Sequence, residues 1–180
     1  MEFNVAQLLQ QAVGATRHYT IDEVAAISDP DLDLVGPMRG KVKLMRTQRG
    51  ILVTATLQQR VRTSCVRCLT DLELDLDIQI DEEFVPGVDL HTGAQLTWDP
   101  EDEIDESQII DMQHTLSLIE VARQELLLAL PAHPLCSEAC AGICPVCGAD
   151  LNEEQCGCAD EQIDPRWAAL AAFGETADGE

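Results

Sequence analysis

Aromatic side chains are scarce in this chain: two Trp, one Tyr and three Phe among 180 residues, 3% of the total. The core must therefore be built from Leu, Ile, Val and Ala, and few rings remain for stacking unpaired bases. Basic residues are also few, 11 Lys and Arg against 33 Asp and Glu, for a formal charge of -22. Such a balance disfavours a polyanionic partner over the surface as a whole. Long apolar runs are missing too. The most apolar stretch, positions 116–130, is interrupted by Glu120, Arg123 and Glu125, and it falls short of the roughly 20 residues that a membrane helix needs. The first twenty residues have no basic start followed by an apolar run, so no secretory signal is expected. A cytoplasmic location follows as the expectation, and there thiols stay reduced.

Cysteine, by contrast, is plentiful. Eight cysteines fall into four pairs: Cys65/Cys68, Cys136/Cys140, Cys144/Cys147 and Cys156/Cys158. Two cysteines separated by two residues can turn both sulfurs towards one ion, and zinc takes four such ligands in a tetrahedron. Four pairs supply two four-thiolate sites. One set, Cys144, Cys147, Cys156 and Cys158, can close a small loop alone, with Gly148 and Gly157 easing its turns. The other, Cys65, Cys68, Cys136 and Cys140, would join a hairpin tip to the segment before the first set. The spacing also allows Cys136, Cys140, Cys144 and Cys147 in one site, with Cys65 and Cys68 beside Cys156 and Cys158 in the other. Two zinc ions are expected, or one if the long-range set does not form. Four thiolates leave no open position, so such zinc is structural rather than catalytic.

Other chemistries fit less well. Disulfides call for an oxidising compartment. Iron–sulfur ligation is suggested by "CAGICP", but the preceding cysteine steps of a ferredoxin run are absent. A redox role for "CVRC" calls for a helix directly after it, where the sequence reads as a strand. No His-x-Glu motif begins at His18, His91, His114 or His133, which removes the zinc-deaminase pattern. No reaction is expected.

The charges are divided along the chain. Positions 34–70 hold eight basic residues and no acid, and positions 69–122 hold sixteen acids and no base. The basic part alternates: Val42 and Leu44 interleave with Lys41 and Lys43, a turn falls at "RTQRG", and Val53, Ala55, Leu57 and Val61 return opposite Thr54, Thr56, Gln58, Arg60 and Arg62. A third strand alternates Leu72, Leu74, Leu76, Ile78 and Ile80 with Asp71, Glu73, Asp75, Asp77 and Gln79. If "CVRC" turns symmetrically, Val61 pairs with Leu72 and Leu57 with Leu76, while Arg62 meets Asp71 and Arg60 meets Glu73. Lys41, Lys43, Arg46 and Arg49 have no such partners in sequence and are the candidates for RNA phosphate, although lysines also protect sheet edges.

An acidic surface loop follows at 85–107. A helix is then expected over "TLSLIEVARQELLLALP", with a capping box from Ser117 and Glu120, an apolar face of Leu118, Ile119, Ala122, Leu126 and Ala129, and a stop at Pro131. A last short helix is expected from Asp164 to Phe173, ahead of a frayed end.

Together these give an α+β fold: an antiparallel meander, able to curl towards a barrel, packed with one long helix and followed by a C-terminal cysteine-rich zinc-binding module. Residues 1–33 read as an irregular arm with one short helix or strand, 34–130 as the sheet with its helix, and 131–180 as the zinc module and C-terminal helix, packed with the preceding part as one domain.

The motifs "CVRC" at 65–68, "ELLLALPAHPLC" at 125–136, "CAGICPVCGADLN" at 140–152, "CGC" at 156–158 and "IDPRWAAL" at 163–170 resemble the YceD family of large ribosomal RNA subunit accumulation proteins. The resemblance implies a non-enzymatic ribosome-biogenesis factor acting in the synthesis or accumulation of large-subunit ribosomal RNA. Its expected partner is that RNA or its precursor. The competing expectation is an adaptor or chaperone for a basic ribosomal protein without direct RNA contact, and no membrane partner is expected.

Overall fold

The structure, a computed structural model, describes residues 1–89, 92–97, 104–158 and 166. The helix expected from Asp164 to Phe173, the frayed end and part of the acidic loop lie outside the described residues. The chain divides into two compact units: Met1–Val66 with Thr70–Cys136, and Arg67–Leu69 with the chain from Ser137 onward.

The first unit runs β1 (Glu2–Asn4), α1 (Ala6–Leu9), β2 (Thr16–Glu23), β3 (Asp33–Arg46), β4 (Ile51–Ser64), β5 (Asp71–Pro86), a 3-10 turn (Glu106–Gln108), β6 (Ile109–Ile110), β7 (Thr115–Ser117) and α2 (Ile119–Ala129). Five strands form one sheet in the order β2-β3-β4-β5-β6. All its pairs are antiparallel except β5 with β6, where Val85 meets Ile109 and Pro86 meets Ile110 in parallel. The sheet is thus mixed rather than purely antiparallel. Among the described residues it stays open, since β2 and β6 end the order unpaired with each other, so the barrel-like closure does not occur.

Alternation decides which face is buried. Ile51, Val53, Ala55, Leu57, Gln59 and Val61 of β4 point inward while their neighbours point to solvent. Leu76, Ile78 and Ile80 of β5 do the same, and Met38, Val42 and Leu44 extend the inner face onto β3. Leu8, Leu9, Phe3, Leu116, Leu118, Val121, Ala122 and Leu126 complete the core. Gln59 is the polar exception at 2% exposure. Its Nε2 donates to the carbonyls of Val35 at 3.2 Å and Arg60 at 2.7 Å, where a bulge between Val35 and Arg39 interrupts β3.

The β4–β5 register differs from the symmetric one by two residues: Val61 faces Leu74, Leu57 faces Ile78, Arg62 faces Glu73 and Arg60 faces Asp75. The turn is longer than "CVRC". The ladder closes at Ser64 and Asp71, the N–H of Cys65 donates to the carbonyl of Thr70 at 2.9 Å, and Leu69 takes a left-handed φ of 62°. A shift of two keeps every side chain on its face, so the pattern of burial survives.

The one long helix is not present. Of the stretch read as helix, Thr115–Ser117 is a strand paired with β1, Phe3 opposite Leu116, and α2 is left with 11 residues. Ser117 and Glu120 do not form a capping box. Leu118 occupies the N-cap without a side-chain bond, and Glu120 turns instead to Arg123. The helix does stop before Pro131, at an extended Leu130, as the clash of a proline ring with its predecessor requires. The first 33 residues are more ordered than an irregular arm: β2 pairs along its whole length with β3, and Met1, Phe3, Val5, Leu8, Leu9 and Ile21 are buried.

Two expected outcomes follow from this packing. Gly40 lies on the inner face of β3, where a Cβ would strike the Thr56 carbonyl oxygen and come to 2.8 Å from the Leu57 Cα. Gly40→Ala is expected to destabilise the protein by about 1–3 kcal/mol, read as a lower midpoint in urea; an unchanged midpoint would show that β3 and β4 can separate there. Arg123 binds Asp29 at 2.7 Å and Glu120 at 2.6 Å. The Asp31 N–H and the Arg123 guanidinium hold Asp29 below its ordinary 3.8, and Arg123 holds Glu120 below its ordinary 4.5. Lowered carboxylates bind fewer protons folded than unfolded, so their contribution is complete above those ordinary values and disappears as the pH falls through the lowered ones. Arg123→Met should therefore flatten the loss of stability on acidification, and equal acid slopes would remove the pairs from the account.

Candidate metal centres

In the second unit, "CPVCG" is shaped by backbone hydrogen bonding. The N–H of Cys144 donates to the Ala149 carbonyl at 2.8 Å and the N–H of Gly148 to the Cys144 carbonyl at 2.8 Å, while Ile143 and Asp150 form a bridge. Gly148 sits at φ 75°, a region closed to most side chains, and this lets the chain double back directly after Cys147. The backbone N–H groups of Cys147 and Val146 are thereby aimed at the Cys144 sulfur.

The cysteines sort into two groups: Cys65, Cys68, Cys136 and Cys140 in one, Cys144, Cys147, Cys156 and Cys158 in the other, the ligand atoms of each all within 4.8 Å of one another. None of the eight is in a disulfide. The structure thus brings together the first pairing considered from sequence, and not the alternative of Cys136, Cys140, Cys144 and Cys147. Sulfurs around one zinc, each about 2.3 Å from it, lie about 3.8 Å apart, so either group needs little contraction to enclose an ion.

Electrostatics within the second group show why a cation fits. The N–H groups of Cys147 and Val146 and the thiol of Cys156 stabilise an anion at Cys144, lowering it to about 6. Cys158 is pushed up to about 12, chiefly by its hydrogen bond to Cys147 and by burial, with the neighbouring Cys144 adding to it. Cys156 is raised as well. One negative charge is accommodated and the next is resisted. Ionising all four needs a positive ion in their midst.

Residues that the sequence reading passed over support these loops. The Asn152 side chain accepts from the N–H of Ala141 at 2.7 Å and donates to Asp150 at 2.6 Å and to the Cys140 sulfur at 3.5 Å. The Arg67 guanidinium donates to the Cys140 carbonyl at 2.9 Å, and its own carbonyl accepts from Ile143. Asn and Asp two residues apart after a cysteine knuckle were the available signal, since both side chains commonly bond to nearby backbone. Gly142, at φ 78°, leaves no room for a side chain without pressing on the Arg67 carbonyl at 3.2 Å.

The proposed phosphate-binding residues are dispersed. Lys41 and Lys43 stand on the solvent face of β3, opposite Thr56 and Thr54. Arg46 directs its guanidinium to the carbonyls of Leu9 at 3.0 Å, Thr47 at 2.6 Å and Gly50 at 2.9 Å, securing the β3–β4 turn. Arg49 is exposed in that turn.

An open sheet with one polar face, together with two four-cysteine groups each compact enough for one ion, defines a sheet protein with a cysteine-rich module. Within that class, the chain belongs to the YceD family: the family described as "Large ribosomal RNA subunit accumulation protein YceD" matches residues 53–174, more than half of the chain. An uncharacterized protein of Mycobacterium tuberculosis is 32% identical over 140 residues, covering 78% of this chain and 59% of that protein. An uncharacterized protein of Mycobacterium leprae is 26% identical over 134 residues, 74% of this chain and 58% of that protein. A protein of Arabidopsis thaliana named "Large ribosomal RNA subunit accumulation protein YCED homolog 1, chloroplastic" is 22% identical over 157 residues, 77% of this chain and 49% of that protein. The chain thus spans about three-fifths of the length of the mycobacterial relatives. No solved structure matches it. Among the described residues no helix is long and apolar enough to cross a membrane.

The turn at Gly148 generates its own expectation. A β-branched residue at a left-handed φ costs about 1–2 kcal/mol, so Gly148→Val should speed hydrogen exchange at the amides of Cys144 and of residue 148. Unchanged protection would mean that the loop does not depend on that conformation.

Proposed function

We propose that the protein is a non-enzymatic factor in the accumulation of large-subunit ribosomal RNA, acting in the cytoplasm, with its cysteine groups holding structural zinc. The observation that carries the reading is the family match over residues 53–174, a stretch that contains all eight cysteines. Cys65, Cys68, Cys136 and Cys140 would hold one ion, and Cys144, Cys147, Cys156 and Cys158 the other. A four-thiolate zinc contributes about 10–16 kcal/mol of apparent binding free energy to the fold around it, which suits loops that have little apolar surface of their own. Its role would be to fix those loops, since four protein ligands leave no position for a substrate.

Arg60 and Arg62, with Glu73, Asp75 and Asp33, make an ion-paired part of the solvent face. A row of acids on β5, Asp71, Glu73, Asp75, Asp77 and Asp81, supports a second reading, that of an adaptor for a basic ribosomal protein. Pull-down before and after nuclease treatment separates the two, because an adaptor keeps its partner when RNA is digested.

Depletion of the protein from its own cells should lower mature large-subunit RNA relative to small-subunit RNA, and a normal ratio would overturn the role. Purified native protein should carry two zinc ions per chain without visible absorption. Cys144→Ser combined with Cys147→Ser should reduce that to one, whereas iron, or no metal, would overturn the structural-zinc reading.

A further inference from the structure

The solvent face of the sheet is laid out in rows by the strand register. One row across β2, β3, β4 and β5 is His18, Lys43, Thr54 and Asp81; the next is Thr20, Lys41, Thr56 and Gln79; the next is Asp22, Arg39, Gln58 and Asp77. Arginines on this face are engaged: Arg39 with Asp22 at 3.1 Å, Arg60 with Asp75 at 2.7 Å, and Arg62 with Asp33 at 3.4 Å and Glu73 at 3.6 Å. Lys41 and Lys43 differ. Among the described residues no carboxylate lies within ion-pair distance of either, and hydroxyls and an imidazole surround them instead. The surface is dished there, with a depression of about 310 Å³ bounded by His18, Thr20, Lys41, Lys43, Thr54 and Thr56.

From this arrangement we infer that the patch formed by His18, Thr20, Lys41, Lys43, Thr54 and Thr56 is a docking surface for the phosphate backbone of RNA. The inference rests on the ribosomal-RNA reading given above. Two lysines two positions apart on one strand present their ammonium groups about 7 Å apart on one face. Lys41 lies between Thr20 and Thr56, and Lys43 between His18 and Thr54; hydroxyls donate readily to phosphate oxygens. No Phe, Tyr or Trp is among the six residues, and their charged and hydroxyl groups suit charge and backbone rather than base identity. Tyr19 borders the depression, but its ring lies against Phe3, centroids 4.8 Å apart.

The net charge of -22 does not forbid such a contact. Of the acids near the lysines on this face, Asp22 of β2 is engaged by Arg39 at 3.1 Å. Asp77 and Asp81 belong to β5, two strands away, where strands about 4.8 Å apart put the separation near 10 Å. This is about one screening length at physiological salt. A polyanion following β2 and β3 therefore meets the lysines close by and the β5 carboxylates through a screened gap.

The test uses the purified full chain and a transcribed segment of large-subunit ribosomal RNA, beside a non-ribosomal RNA of equal length. Lys41→Gln with Lys43→Gln is compared with Arg60→Gln with Arg62→Gln, which changes net charge by the same amount on the same face. The lysine pair should weaken RNA binding at least about tenfold and reduce the slope of log affinity against log salt by roughly 1.4 to 1.8, while the arginine pair leaves both nearly unchanged. Binding retained by the lysine variant, or lost equally in both, overturns the surface. So does a lysine variant that alters self-association and not RNA affinity, since the face would then join two copies. A wild-type protein that binds neither RNA overturns the surface as well; whether the ribosomal role then stands is decided separately by the depletion experiment.

Discussion

β4 constrains the rest of the sheet unit. It is hydrogen-bonded along both edges, to β3 and to β5, and its strict alternation sends Ile51, Val53, Ala55, Leu57 and Val61 inward. A slip by one residue on either edge would reverse both faces at once, placing Leu57 and its neighbours in water and Arg60 and Arg62 in the core. Full burial of each Ile, Val or Leu among them contributes about 1.5–3 kcal/mol, so a reversed strand loses an amount comparable to the whole stability of an ordinary domain. The inner face thus fixes parity for three strands, and with parity fixed, the outer face becomes an ordered array of charges.

A second constraint governs the cysteine loops. Thiols gathered within 4.8 Å cannot all ionise, because each new anion faces those already present. Cys144 and Cys158 differ accordingly: backbone N–H groups favour the anion at the first, while a hydrogen bond to Cys147, burial and the neighbouring Cys144 oppose it at the second. The loops around these thiols contribute little apolar burial, and backbone hydrogen bonds, left-handed glycines and the Asn152 and Arg67 side chains hold them in shape. Such scaffolding presents ligands with their direction already set. Ligand binding then has less disorder to overcome, because the groups behind the ligands already hold them in direction.

The sequence was most legible where one physical rule dominated. Alternation alone assigned the faces of β4 and β5 correctly, and cysteine spacing alone offered the grouping that the fold adopts. It was less legible where two rules competed. The β4–β5 register came out two residues from the symmetric choice because Leu69 and Thr70 belong to the turn, and parity carries no information about even shifts. The helix is shorter than its sequence pattern because Thr115, Leu116 and Ser117 fit a helical period, while pairing with β1 offers them a ladder that has no local signature. Gln59 sits on the inner face because a bulge in β3 supplies carbonyls for it, and a long-range partner of that kind has no local signature. Arg46 resembles the lysines in charge alone, since the carbonyls it binds come together only once the β3–β4 turn has formed.

Net charge and local charge separate for the same structural reason. Six of the eight basic residues lie on β3 and β4 and seven of the sixteen acids on β5, and antiparallel folding sets those strands side by side. Where rows bring a guanidinium against a carboxylate, as at Arg60 and Asp75, the charges offset one another on the surface. Where the intervening row is Thr54 or Thr56, they do not meet. The sheet therefore converts a linear charge pattern into a lateral one, neutral by pairing at the end near the β4–β5 turn and polarised at the other. A strongly acidic protein gains a confined positive edge in this way. Its remaining acids would oppose a polyanion spreading across the sheet, which limits contact to that edge and favours a bound state that can be released.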